Sequence, residues 1–349
     1  MEGTRPRRIV CAAFALVLAH VLALDPARAE DSAGTPEPDP GALSTLAAIV
    51  PGFVVSGTGT YVSGDKRAAR GIVKVQLAGL GLAAAGGIPM LLTGASRRTT
   101  GFTMPLIVTG GGLFLTSWIA DIYGASTGGR DVRAFPAPKL VLTLGYAYVP
   151  DPQFDYDHFA VVSGDFRRGA WRGTPSAWIA VDDDVQRLRA EGAWRFRETR
   201  DGSYLEAETA ATFHRHGDDD FEVYTGEISI LARYDMAHLG LSLRGSFLEA
   251  GLGLGLETYT FEDDVFVSDL PLARAAYGWY LSRGEAQIYY DHRHDEVVGG
   301  LGIGSTFDGP YGHFGAQALY WLTDTWGVEA QFEVGSVTST RLSVKWGLP

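Results

Sequence analysis

From about residue 139 to the C-terminus, apolar residues recur at every second position, the period of a β-strand with one apolar face. Leu140, Leu142, Leu144, Tyr146 and Tyr148 share one face, and Val141, Thr143, Gly145 and Ala147 share the other. Farther along, Leu188, Ala190, Gly192, Trp194 and Phe196 stand back to back with Arg187, Arg189, Glu191, Ala193, Arg195 and Arg197. Trp326, Val328, Ala330, Phe332 and Val334 do the same against Glu329, Gln331 and Glu333, and the alternation returns over 205–213 and 248–258. Short turn-rich pieces separate these runs, among them Asp182-Asp183-Asp184, Ser282-Arg283-Gly284 and Asp308-Gly309-Pro310. The pattern predicts about twelve strands with mostly short connections. Gly253 and Gly255 alternate strictly with Leu252, Leu254 and Leu256, which makes them one face of a strand and not a dinucleotide-binding turn.

The first third of the chain reads differently. Residues 75–96 and 99–120 are two uncharged stretches parted by Arg97 and Arg98, each long enough to span a bilayer as a helix. Gly79, Gly81, Gly86 and Gly87 dilute the first, and Gly110, Gly111 and Gly112 the second; small residues let helices approach closely, so residues 41–129 are expected to form a tight helical hairpin. Pro136 and Pro138 break the pattern in a linker over 130–138, and the barrel candidate runs over 139–349. Ahead of the hairpin, residues 30–40 are polar and Pro-rich, as in an extended tether. Residues 1–29 carry the marks of a secretory signal: Arg5, Arg7 and Arg8, then an apolar run from Ile9 to Leu24, then Ala27-Arg28-Ala29 as a cleavage site. The only cysteine, Cys11, lies inside that segment, so a mature chain would carry neither disulfide nor thiolate metal site.

Alternation alone does not distinguish a soluble sandwich from a barrel in lipid. The charge on the polar face is the useful evidence, while in a sandwich the same face would be ordinary solvated surface. Strand 186–197 places Arg187, Arg189, Glu191, Arg195 and Arg197 on one side, and strand 203–214 answers with Glu206 and Glu208; paired as a hairpin they would make the charged wall of a lumen whose outside faces lipid. Aromatics near strand ends (Trp194, Phe196, Trp279, Trp321, Trp326, Trp346) and a closing run Leu342, Val344, Trp346, Leu348 agree with that reading. The expected fold is therefore mainly β: an antiparallel transmembrane β-barrel of about twelve strands preceded by an α-helical, Gly-rich hairpin. At 349 residues and 46% hydrophobic, the chain has length enough for both parts. Its formal charge of −12, with no basic patch, argues against nucleic acid as a partner.

These features carry a resemblance. The β region is similar to bacterial outer-membrane β-barrel proteins. Pro51-Gly52, Gly57, Gly59, Tyr61, Gly64 and Gly71, leading into the hairpin, resemble the Pro-Gly-led hairpins of uncharacterised envelope proteins of myxobacterial type. The resemblance implies membrane association, and no catalytic residue comes with it.

The resemblance and the strand pattern lead to a channel, or the membrane component of an export or motility machine in the envelope. The alternatives are a plugged structural or interaction barrel without transport and, second, an outer-membrane lipid hydrolase or deacylase. No enzymatic activity is expected, since no G-x-S-x-G elbow occurs and serines such as Ser305 have no evident partner. No cofactor is expected. Asp291, His292, His294 and Asp295 form the densest polar cluster and are weak candidates for metal ligands or a barrel rim. His214, His216 and Asp218 to Asp220 invite the same thought more faintly. The expected partners are outer-membrane lipid and lipopolysaccharide, with other envelope proteins a further option. The expected location is the outer membrane; the alternative is the inner membrane with a periplasmic β domain. The roughly fifteen residues between hairpin and first strand reach about 50 Å at most, so the two parts are not expected to span different membranes.

Overall fold

The fold comes from a computed structural model that describes residues 39–94, 97–150, 157–199, 202–216, 221–261, 264–292 and 312–348. The signal segment 1–29 and most of the 30–40 tether lie outside the described residues. The chain divides into two units: one holds residues up to Val132 together with Tyr234–Leu248, the other Arg133–Arg233 together with Glu249–Pro349.

The second unit is a closed antiparallel barrel of twelve strands. In chain order these are β1 Leu140–Tyr148, β2 His158–Arg168, β3 Trp171–Ala180, β4 Gln186–Glu198, β5 Tyr204–His216, β6 Phe221–Asp235, β7 Ser246–Phe261, β8 Asp264–Leu281, β9 Gly284–Asp291, β10 His313–Trp321, β11 Trp326–Val334 and β12 Thr338–Leu348. Each strand neighbours the next, and closure comes from β1 against β12, in register from Leu140 opposite Leu348 to Tyr148 opposite Thr340. Closure leaves no strand edge with unpaired amides, the condition for sheet to exist in hydrocarbon.

Along much of the barrel the faces are sorted in the inverse of a soluble protein, while at one end Ala147, Val149, Phe159, Val161, Trp178, Ala180, Val185 and Val337 form a buried apolar cluster. Leu142, Leu144, Val162, Leu188, Ile228, Leu254, Leu342 and Val344 are exposed on the outside, while Thr143, Glu206, Thr212, Glu249, Gln287, Glu329 and Ser343 are buried. Aromatics collect on the outer face at both ends of the strands. Phe166, Trp171, Trp194, Phe196, Tyr320, Trp326 and Trp346 are exposed at the end where β1 starts, and Tyr146, Tyr148, Tyr224, Phe266, Phe314 and Phe332 at the other. Two aromatic girdles around an aliphatic band are what the two interfaces of a bilayer select. A ten-residue strand such as β3, rising about 3.3 Å per residue and tilted by about 40°, climbs roughly 25 Å, the height of such a band. Trp321 is a correction to the expected girdle: its position in β10 has the parity of Gln317 and Leu319, so it is buried and stacks on Phe135 at 6.3 Å between ring centres.

The first unit is helical: α1 Ala42–Ile49, α2 Pro51–Val54, α3 Thr58–Val62, α4 Lys66–Leu92 and α5 Arg97–Thr127. Asp65 caps α4 by accepting from the Ala68 amide at 2.9 Å. Helices α4 and α5 meet through small residues: a Cβ placed on Gly79 would stand 2.7 Å from the Gly110 carbonyl oxygen, and one on Gly86 2.5 Å from that of Thr103. Gly57, at φ 98°, turns the chain into α3 in the left-handed region that favours glycine. The connection from β6 to β7 belongs to this unit. The Ser242 amide donates to the second Asp65 carboxylate oxygen at 2.9 Å, and the Tyr123 hydroxyl donates to the Arg244 carbonyl at 2.8 Å.

Candidate functional site: the charged lumen

The inner wall is built by strand parity. In β4 every second residue from Arg187 to Arg195 points inward, and β5 answers with Glu206, Glu208, Thr212 and His214. Arg195 lies opposite Glu206 in register and donates from Nε to its Oε2 at 3.1 Å, with its guanidinium 3.9 Å over the Tyr204 ring. Arg189 reaches past β5 and forks onto Glu227 of β6, with Nη1 and Nη2 donating to Oε1 and Oε2 at 2.8 and 2.7 Å. Glu191 and Glu208 converge with Glu206 on one guanidinium, that of Arg172 in β3, at 3.0, 2.9 and 3.2 Å. Arg187 is buried and pairs in register with His214.

Arg197 does not belong to this wall. The β4–β5 register shifts between Arg195 and Arg197, a bulge that consumes one residue and reverses the parity, so Arg197 falls opposite Leu205 and is exposed. Of the rim cluster, Asp291 ends β9 with its carboxylate 3.8 Å from Arg274, and His292 Nδ1 sits 2.9 Å from the Tyr290 hydroxyl oxygen. His294 and Asp295 lie outside the described residues, as do the side chains of His216 and Asp218 to Asp220. Among the described residues no three His, Cys, Asp or Glu side chains come together as a metal site.

Beyond Glu329 and Glu333, which the alternation already set on a polar face, sequence reading missed the other half of the wall and its pairings. Arg233 of β6 donates to Glu249 of β7 at 2.7 Å and forks onto Glu285 of β9 at 2.8 and 3.1 Å, reaching across three strands of curvature. Glu329 of β11 holds both Arg341 and Lys345 of β12 at 3.0 Å and accepts from Gln317 at 2.7 Å. Glu333 accepts from the Tyr289 hydroxyl at 2.6 Å. Most of these charges stand between apolar or glycine neighbours in the strand, as Glu227 does between Gly226 and Ile228, and that isolation at inward parity is the signal that would have found them. Between the clusters remains a cavity of about 290 Å³, lined by both signs of charge: Arg172, Arg189, Arg233, Arg274 and Lys345 against Glu191, Glu208, Glu227, Glu249 and Glu285.

A closed barrel with this outside and this inside has one solvent that fits it. The second unit is a membrane-type β-barrel. The barrel's assignment rests on the closed register and the sorting of its two faces. No protein-family model matches the chain, and no curated protein matches it. Solved barrels are similar at low identity. The KdgM porin in complex with disordered oligogalacturonate aligns with a TM-score of 0.39 and 8% identity over 60% of this chain and 99% of that one. The NanC porin aligns at 0.39 and 9% over 59% and 100%, and Omp33 of Acinetobacter baumannii at 0.32 and 10% over 63% and 100%.

Proposed function

We propose that the barrel is a narrow channel for small polar solutes, with its bore set by the ion pairs of its own wall. The observation that carries this reading is the 290 Å³ cavity inside the barrel with acids and bases interleaved around it. That volume lies at the small end of ligand-sized sites, so a passing solute would be small or would have to part ion pairs. Interleaved signs give little net field along the bore, so the channel discriminates by size and hydrogen bonding more than by charge. Single-channel recording in planar bilayers tests it. The wild-type chain is expected to give small, weakly ion-selective conductance steps, and Arg172→Ala is expected to enlarge them by freeing Glu191, Glu206 and Glu208 to repel one another. Silence from both proteins, once folding is verified, would leave the second reading.

In that second reading the barrel is a closed structural or interaction element. What favours it is the completeness of the pairing, with Arg172 alone engaging three carboxylates and Glu329 two cations. Deletion of residues 41–129 separates the cases further. Conductance that appears only after deletion would mean that the helical segment blocks the bore.

A further inference from the structure

The helical unit is turned inside out. Ser56, Thr60, Gln76 and Asp121 are all buried, whereas Leu77, Leu80, Ile88, Leu91 and Leu92 of α4 are exposed, the last two by more than 80%. The buried polar groups are satisfied within the unit. Asp121 accepts from the backbone amides of Gly59 and Thr60 at 3.0 and 2.8 Å, and Gln76 accepts from the Ser56 amide at 3.0 Å and donates to the Val54 carbonyl at 3.2 Å. A soluble helical pair does the reverse, hiding its leucines and wetting its amides. Internal satisfaction of such buried polar groups behind an apolar exterior is the requirement that hydrocarbon imposes.

We propose that this unit is embedded in phospholipid, with the exposed face of α4 against acyl chains and its first turns at the headgroups. Lengths and charges match that occupant. Lys66, Arg67, Arg70 and Lys74 are all exposed and sit in the first nine residues of the helix, where they meet lipid phosphates. From Val75 to Leu92 the helix carries no charge, a stretch of about 27 Å at 1.5 Å per residue, close to the roughly 30 Å of a hydrocarbon core. The lipid is that of the barrel's own membrane, because Tyr234–Leu248 is at once part of this unit and the direct continuation of β6 and β7. The outer membrane would then hold strand and helix from one chain.

The test uses the full chain with Cys11, its single cysteine, replaced by serine. New single cysteines at Leu80 and Leu91 carry an environment-sensitive fluorophore, with Leu144→Cys on the barrel exterior and Asp183→Cys in a turn as lipid and water references. The proteins are reconstituted into phosphatidylethanolamine–phosphatidylglycerol vesicles, and each must show heat-modifiable migration on a gel before it is counted as folded. Brominated acyl chains are expected to quench positions 80 and 91 to within about twofold of position 144, while aqueous iodide quenches them several-fold less than position 183. Iodide quenching equal to that at 183 overturns the proposal by placing the face in water. Protection from both quenchers, with cross-linking between copies by a bis-maleimide, overturns it by making the face a contact between chains. Channel conductance plays no part in any of these outcomes.

Discussion

Arg172 shows how a single side chain sets the state of the lumen. Its guanidinium lies among Glu191, Glu206 and Glu208, and Glu206 is 1% exposed, so removing the cation takes away one of the two counter-charges of a buried carboxylate and leaves it Arg195 alone. Breaking a pair of this kind typically costs about 3–5 kcal/mol. Arg172→Ala is therefore expected to lower the temperature at which the barrel loses its compact gel mobility, and adding Glu206→Gln should recover part of the loss; additive losses in the double variant would show that the two do not interact. Arg197→Ala should leave that temperature unchanged, because the bulge carries Arg197 to the exposed face. The sequence pattern put both arginines on one wall. What it could not contain is the one-residue slip, since a bulge is settled by how two strands pair and leaves the alternation of either strand intact.

At the scale of elements, strand parity and helix packing answer to different signals. Period two in the sequence is sufficient to place Leu142 and Leu144 outside and Thr143 inside, and the strands observe it. For the helices the useful signal is glycine, and only the tertiary contact tells which glycines matter. A Cβ on Gly79 would collide with the backbone of α5, while one on Gly81 would meet nothing within 4 Å. Gly79→Leu is expected to part α4 from α5, at an overpacking cost of about 1–3 kcal/mol, and to speed amide hydrogen exchange over Thr103–Thr116. Gly81→Leu should leave exchange there at the wild-type rate. Equal effects from both variants would mean that the helices do not meet at Gly79.

At the scale of the molecule, the barrel makes a simple demand: the chain should stay in the membrane through a carbonate wash and should migrate faster unboiled than boiled, because closure keeps the sheet compact in detergent. Identical migration would remove the barrel. The number of strands, their alternation, the helical hairpin and the polarity of both faces were all present in the order of residues, because each is a local periodicity that the backbone geometry of strand or helix imposes on any sequence that adopts it. Partner choice was not. That Arg189 answers Glu227 and not Glu206 or Glu208, that Arg233 reaches Glu285 from three strands away, that Trp321 turns inward, and that Tyr234–Leu248 belongs with the helices are decided by closure and register. Those join residues far apart in the chain through contacts that no local pattern encodes.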